Sequence, residues 1–291
     1  MWEFWVRSLN ASTIFTVAAL GEIIGQRAGI LNVGVEGAML FGATISFMVA
    51  KTTGSYLLGF LAGIAVGALI GLLHAYFSIT LGGDQVVNGM GIWILGFGLT
   101  AYIGYPFTGP LGLPRIPTIA GLSPFFIFSV VLAVLVWFFL FKTNMGLKLR
   151  SVGENPSVAE VSGINVVRTR YLSVIFSGML MGLAGSIYAL DYNPVWNYNF
   201  LMGWGFIALA LVFFAMWNPL LLLGGSILFG VLWQVSLNPE ALLPNVFSRY
   251  IWRTFPFVIT IAVLVMMSTR WFSSRWGAAK PEALGLPYEK D

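Results

Sequence analysis

The chain of 291 residues is 58% hydrophobic and only 9% charged, with a mean hydropathy of +0.87. Soluble domains carry about 25% charged residues, so this composition excludes a soluble domain and indicates an integral membrane protein. The absence of cysteine excludes disulfides and thiolate metal sites, and a single histidine argues against a His-rich metal centre. The net charge of +4 reflects basic residues beside apolar spans rather than a nucleic-acid surface.

Apolar runs long enough to cross a membrane recur along the chain, since a spanning helix needs about 20 mostly apolar residues. The predicted spans lie at about 11–27, 34–50, 55–81, 86–105, 123–142, 170–190, 203–217, 219–237 and 254–269. The sequence therefore predicts an all-α, polytopic transmembrane bundle of about nine spans, within about 8–10, forming one domain over residues 1–291. The short seventh and eighth spans are either two helices or one broken helix with a re-entrant piece.

The basic residues set the predicted orientation of the bundle. With nine spans, ten Lys and Arg residues fall on the side of the 142–170 connection and five on the other side. Because cytoplasmic loops carry the excess of Lys and Arg, we predict an external N-terminus and a cytoplasmic C-terminus. The tail at about 270–291 is then cytoplasmic, and the aromatic segment DYNPVWNYNF at 191–200 lies at the outer face.

Residues 21–37, GEIIGQRAGILNVGVEG, place ionisable side chains between the first two spans. Glu22 and Gln26 lie on one helix face, and Arg27 follows at the helix end. Charges at membrane depth are costly, at about 2.5–3.5 kcal/mol each on insertion scales, so they pair or face the bundle interior. We therefore predict a structural ion pair between Glu22 and Arg27.

Four further polar side chains in or beside the spans are candidates for lining a translocation path: Asn32, Glu36, Gln85 and Asn88. Asn32 and Glu36 flank glycines, which allow close backbone approach and occur in the broken helices of substrate cavities. Helix packing through small residues is the alternative. Gln85 and Asn88 either hydrogen-bond a polar solute or cap the fourth span.

The 142–170 connection is the longest polar segment between spans and predicts a short helix over 156–162. Asn155 is a favoured N-cap, Pro156 suits the first helical position, and Gly163 can take the left-handed conformation that ends a helix. A helix this short is unstable alone. Two interpretations are open: an ordinary capped loop helix, or a peg that docks on a cytoplasmic protein through Val158, Ala159 and Val161.

Four blocks of the sequence resemble the permease subunits of ATP-binding-cassette (ABC) importers for simple sugars and nucleosides, within the branched-chain amino acid and ribose permease group. They are GEIIGQRAGILNVGVEGAMLFGA (21–43), GGDQVVNGMGIWIL (82–95), GLKLRSVGENPSVAEVSGINVVRTRYLSVIFSGMLMGLAGSIYAL (146–190), and MGWGFIALALVFFAMWNPLLLLGGSILFG (202–230) with ALGLPYEKD (283–291). They cover nearly the whole chain in the expected order.

The resemblance implies that a coupling helix lies in the loop at about 143–169 and sits in a groove of an ATPase subunit. The positions that match this element are Gly153, Glu154, Asn155, Pro156, Ala159 and Gly163. The sequence contains no G-x-x-x-x-G-K-[ST] motif. We therefore expect no enzymatic activity and no cofactor in this chain, with ATP and Mg held by the partner ATPase.

The resemblance further implies a second, non-identical permease subunit, although a homodimer is not excluded. It also implies a solute-binding lipoprotein outside and a location in the cell (inner or plasma) membrane. The expected solute is a nucleoside or simple sugar, with riboflavin or another ribityl compound as an alternative, and Trp204, Trp217 and Trp233 either pack or stack on it. A secondary transporter is the rival class. A membrane enzyme lacks a catalytic constellation here.

Overall fold

The structure, a computed structural model, describes residues 2–198, 201, 203–237, 249–268 and 280–286. These residues contain eleven α-helices and one two-stranded sheet, which confirms the predicted all-α class. The helices are α1 (Trp2–Arg27), α2 (Val35–Thr53), α3 (Tyr56–Ala75), α4 (Gln85–Gly104), α5 (Pro124–Lys142), α6 (Asn144–Glu154), α7 (Pro156–Val161), α8 (Val166–Ile187), α9 (Trp204–Phe214), α10 (Pro219–Leu237) and α11 (Arg249–Ser268). Strands β1 (Gly109–Pro110) and β2 (Val195–Trp196) pair antiparallel.

Six helices among the described residues are long and apolar enough to cross a membrane, so the predicted count of about nine is somewhat off. They are Trp2–Arg27, Tyr56–Thr80, Gln85–Phe107, Pro124–Lys142, Val166–Tyr192 and Pro219–Leu237. Helix α9 has 11 residues, and at about 1.5 Å per residue it cannot cross a hydrocarbon core of about 30 Å. In α2, Glu36 and Lys51 dilute the apolar sequence. The predicted span at 254–269 falls on α11, whose side chains are only partly described, and residue 269 lies outside the described residues.

Helix α1 forms the centre of the bundle. Every residue from Ala11 to Arg27 is buried, and the helix packs against α5, α8, α9 and α10. A helix enclosed by neighbours on every side must be apolar or internally paired all round, and this segment is mostly Ala, Ile, Leu, Val and Phe. The few polar groups on α1 therefore need partners inside the protein.

Helices α3 and α8 cross at a glycine contact. A Cβ atom on Gly178 would overlap the carbonyl oxygen of Gly67, and one on Gly182 would overlap that of Gly63. Gly63 and Gly67 lie four residues apart on α3, as do Gly178 and Gly182 on α8, which is the spacing of small residues at tight helix contacts in membranes. The contact fixes α8 against α3 at backbone distance.

The change Gly178→Leu should break this crossing, because the added side chain meets a backbone carbonyl that has no room to move. Overpacking costs about 1–3 kcal/mol, so we expect a lower Tm and less monodisperse protein after detergent extraction. The matched control is Gly224→Leu on α10, where an added Cβ meets nothing within 4 Å. Equal Tm values for the two variants would contradict the tight crossing.

Candidate functional site

A network of buried polar groups joins the end of α1 to the loop before α2. Glu22 Oε1 accepts hydrogen bonds from Gln26 Nε2 at 2.8 Å and from the main-chain amide of Asn32 at 3.0 Å. Gln26 Oε1 in turn accepts a 2.6 Å hydrogen bond from Trp217 Nε1. The Glu22 carboxylate therefore holds the turn between the first two helices, and Gln26 ties that turn to the segment between α9 and α10.

Arg27 reaches the same segment through its guanidinium. Its Nε and Nη2 atoms donate to the carbonyl oxygen of Trp217 at 3.3 and 3.2 Å. Met216 and Trp217 have φ values of 49° and 54°, so the backbone reverses where α9 stops and α10 starts. These bonds connect Glu22 and Arg27 through Gln26 and Trp217, while the direct ion pair stays a prediction. The network stabilises the break between α9 and α10, which the sequence analysis predicted at this position.

Glu36 caps the start of α9. Its Oε1 atom accepts a 2.7 Å hydrogen bond from the amide of Gly203, and Oε2 accepts one from the amide of Gly205. The first amides of a helix lack partners within the helix, and the positive end of the helix dipole favours an anion there. A Cβ on Gly205 would lie 2.5 Å from the Glu36 backbone nitrogen, so only glycine permits this approach. Both carboxylate oxygens are thus engaged by the protein.

Asn32 shapes the loop between α1 and α2. Its side chain is 4% exposed, and Oδ1 accepts a 2.8 Å hydrogen bond from the amide of Gly34, two residues further along. This is an Asx turn, in which a side chain stands in for a backbone acceptor. The Nδ2 atom lies 3.7 Å from Met181 Sδ on α8. Asn32 is therefore placed to hold the loop against α8.

Gln85 joins α4 to the same loop but is not the helix cap. Its Oε1 accepts a 2.7 Å hydrogen bond from the amide of Leu31, and its Nε2 is buried with no hydrogen-bond partner among the described residues. Asp84 caps α4 instead, by accepting from the amides of Val86 and Val87 at 2.9 Å each. The capping alternative for Gln85 is therefore wrong, because the residue before it supplies the cap.

Asn88 lies one turn further along α4 and is half-buried. Its Nδ2 atom donates to Ser78 Oγ at 3.2 Å, in the π-helical turn Tyr76–Thr80 that extends α3. Of the four candidate path residues, Asn32, Glu36 and Gln85 are all buried, whereas Asn88 is half-buried and alone contacts the turn that extends α3.

The short loop helix that the sequence predicted is present as α7, Pro156–Val161. Asn155 Oδ1 accepts a 3.1 Å hydrogen bond from the amide of Val158, and Gly163 has a φ of 82°. Both predicted end signals are therefore confirmed. The sequence analysis missed α6, Asn144–Glu154, although Thr143 caps it by accepting from Gly146 at 3.1 Å. Helix α7 is thus mounted on a second helix rather than on an irregular loop.

The exposed face of α7 differs from the predicted peg. Ala159 is 2% exposed and packs with Val152 and Val166 in a small core of the loop. Val158 and Val161 are 60% and 92% exposed. The prediction that all three face a partner is wrong for Ala159, because α7 rests on α6 and α8 through that small side chain.

A C-terminal strap, residues 280–286, joins the loop to the end of α1. The amide of Ala283 donates to the Gly153 carbonyl at 2.9 Å, and the amide of Gly285 donates to the Gly29 carbonyl at 3.3 Å. The Glu154 carboxylate accepts from the amide of Glu282 at 3.4 Å. The strap, α6 and the α1–α2 turn therefore meet at one place. Residues 270–279 and 287–291 of the predicted tail lie outside the described residues.

A cavity of about 730 Å³ lies at the opposite end of α1. Its lining combines the start of α1, the π-helical turn Tyr188–Tyr192 and residues of α9 and α10, and includes Glu3, Arg7, Tyr188, Asp191, Tyr192, Trp204, Trp233 and Gln234. The lining extends along α1 to Asn10, so the 17 residues from there to Arg27, at about 1.5 Å per residue, separate the cavity from the other end of α1 by about 25 Å. The sequence analysis placed the aromatic segment 191–200 at the outer face and did not predict a cavity. The high density of aromatic residues over 188–204 was the sequence signal that could have indicated one.

The described residues form a bundle of apolar helices with the composition of a polytopic membrane protein. The family model for the permease component of branched-chain amino acid transport systems matches residues 4–264, and the chain belongs to this family. The prediction of an ABC transporter permease subunit is thereby confirmed, and the secondary-transporter alternative is not supported. The chain is a transport subunit, not an enzyme, and a multi-pass protein of the plasma membrane.

Two relatives align along most of their length. A protein named as a glucose ABC transporter permease, TsgC13 of Haloferax volcanii, is 37% identical over 98% of this chain and 96% of its own length. The guanosine ABC transporter permease NupQ of Bacillus subtilis is 35% identical over 94% and 92%. A solved metal-chelate type ABC transporter in an inward-facing conformation shares the fold, with a TM-score of 0.55 and 16% identity over 90% of this chain and 85% of that one.

The change Glu36→Ala tests the cap on α9. It leaves the buried amide of Gly205 and the part-buried amide of Gly203 without acceptors, and an unpaired buried group costs about 1–3 kcal/mol, so we expect a clear fall in Tm of the purified chain. Glu36→Gln keeps one acceptor oxygen and should lose less. Glu3→Ala, at an exposed position, is the control. An unchanged Tm for Glu36→Ala would show that the carboxylate does not hold α9.

Proposed function

We propose that this chain forms one half of the translocation path of an importer for a nucleoside or a simple sugar. The support is the family together with the names of the two relatives, one assigned to guanosine and one to glucose. A cytoplasmic ATPase subunit drives the importer and holds ATP and Mg. A second, non-identical permease subunit completes the path, and an extracytoplasmic binding lipoprotein delivers the solute.

We propose further that α7 is the coupling helix. The supporting observation is that this six-residue helix exposes two valines, Val158 and Val161. It is mounted on α6, which packs directly on α1. A Cβ on Gly153 would overlap the Arg27 carbonyl, so α6 touches the end of the central helix without an intervening side chain. A push on α7 can therefore reach α1 without being absorbed by a flexible loop. This assigns Gly153, Glu154, Asn155, Pro156, Ala159 and Gly163 to the support of the helix.

For the path itself, we propose different roles within the four candidates. Gln85 and Asn88 are assigned to solute contact, because Gln85 Nε2 has no hydrogen-bond partner among the described residues and Asn88 is half-buried. Asn32 and Glu36 are assigned to positioning, because their oxygens hold the α1–α2 loop and α9. In the proposed orientation α7 faces the cytoplasm and the aromatic cavity faces outward.

The coupling proposal is tested by Val161→Glu. A carboxylate in the docking groove must lose its water, so we expect at least about tenfold weaker capture of the ATPase subunit and a matching loss of ATP-driven uptake in proteoliposomes. The control is Val195→Glu, the same change at a valine that is 40% exposed at the other end of the bundle, scored by ATPase capture. Normal capture and uptake by Val161→Glu would remove α7 from the coupling mechanism.

A further inference from the structure

We propose that the aromatic cavity at the start of α1 is a solute-binding site within this single subunit, for a neutral ring with an apolar face and a hydrogen-bonding edge. Nucleobases and sugar rings share that chemistry. The proposal rests on the proposed function and adds to it a defined site, since a path between two subunits does not by itself require a pocket inside one of them.

The size of the cavity suits such a solute. Its volume of about 730 Å³ falls within the range of about 300–1,000 Å³ that is usual for small-molecule sites. Those sites are mainly apolar and aromatic, with a few polar groups that fix orientation. This cavity has both components.

The floor of the cavity is an aromatic cluster centred on Trp204. The ring of Trp204 stacks on Phe15 at 4.7 Å, and the rings of Tyr188, Tyr192 and Trp233 meet it edge-on at 5.1, 5.2 and 4.8 Å. Trp204 is 1% exposed, yet its Nε1 atom has no hydrogen-bond partner among the described residues. A buried indole N–H normally finds an acceptor. A bound solute can supply that acceptor.

The polar lining of the cavity includes two acidic and two basic residues, Glu3, Asp191, Arg7 and Arg115, together with hydrogen-bonded groups. Tyr192 Oη accepts a 2.8 Å hydrogen bond from Gln234 Nε2, and Asp191 Oδ2 accepts a 2.6 Å bond from Ser123 Oγ. These groups offer a carboxylate, a phenol and an amide to hydroxyl or amino groups on a ring. Tyr188, Asp191 and Tyr192 all lie in one π-helical turn, a distortion found frequently at functional sites.

The position of the cavity fits the direction of transport. It lies at the end of α1 away from α6, α7 and the strap. An importer receives its solute at the end remote from its ATPase. The site is therefore placed to accept a solute on release from the binding lipoprotein.

The test measures equilibrium binding of radiolabelled guanosine and, separately, radiolabelled glucose to the purified full chain in lipid nanodiscs. Wild type should bind at least one of them. Trp204→Phe keeps the ring but removes the donor, and should weaken binding about 2- to 12-fold, the range for one hydrogen bond. Gln234→Leu removes a polar group at the rim and should weaken binding by a similar factor. It tests the proposal on its own if Trp204→Phe fails to fold.

The control is Trp137→Phe on α5, an indole that contacts Lys142 and lies outside the cavity lining, which should bind as wild type does. Unchanged binding in both cavity variants overturns the proposal. The proposal is also overturned if neither guanosine nor glucose binds and native mass spectrometry instead detects a lipid held tightly by the protein. ATP-driven uptake by the complete importer separates the two proposals. Normal uptake by both cavity variants would contradict the cavity site but leave the proposed function intact. Absence of ATP-dependent uptake by the wild-type importer would contradict the proposed function.

Discussion

Two carboxylates in the bundle interior accept hydrogen bonds from main-chain amides where helices are interrupted. Glu36 caps α9 through Gly203 and Gly205, and Glu22 holds the α1–α2 turn through Asn32. In a membrane interior an amide without a partner has no water to bind, so an interruption survives only where the protein itself supplies acceptors. These bonds allow a bundle of apolar helices to contain a short helix such as α9.

The interruptions connect the two ends of the molecule. Trp217, at the break between α9 and α10, accepts from Arg27 and donates to Gln26 on the cytoplasmic end of α1 in the proposed orientation. At its other end α9 begins with Trp204, the centre of the aromatic floor of the cavity. Helix α9 thus touches both the segment beside the coupling loop and the cavity, and it is held at both ends by hydrogen bonds rather than by continuous helix.

Close backbone contacts make the same structure stiff. Gly178 meets Gly67 where α8 crosses α3, and Gly153 meets the carbonyl of Arg27 where α6 touches α1. Contacts without side chains between the backbones have little freedom to yield, so a displacement of one helix is passed to the next. The C-terminal strap closes this arrangement by bonding to Gly153 and Gly29 together.

The sequence by itself determined the class of fold, the family and the ends of α7, because composition, motif order and the Asn155 and Gly163 signals act locally. It also located Glu22, Glu36 and Gln85 as unusual polar groups within an apolar chain. Only the tertiary structure decided their partners, because Glu36 and Gly203 are far apart in sequence and nothing near either residue specifies the other. The burial of Ala159 and the cavity beside Trp204 were decided in the same way, since burial depends on which helices meet rather than on any one of them.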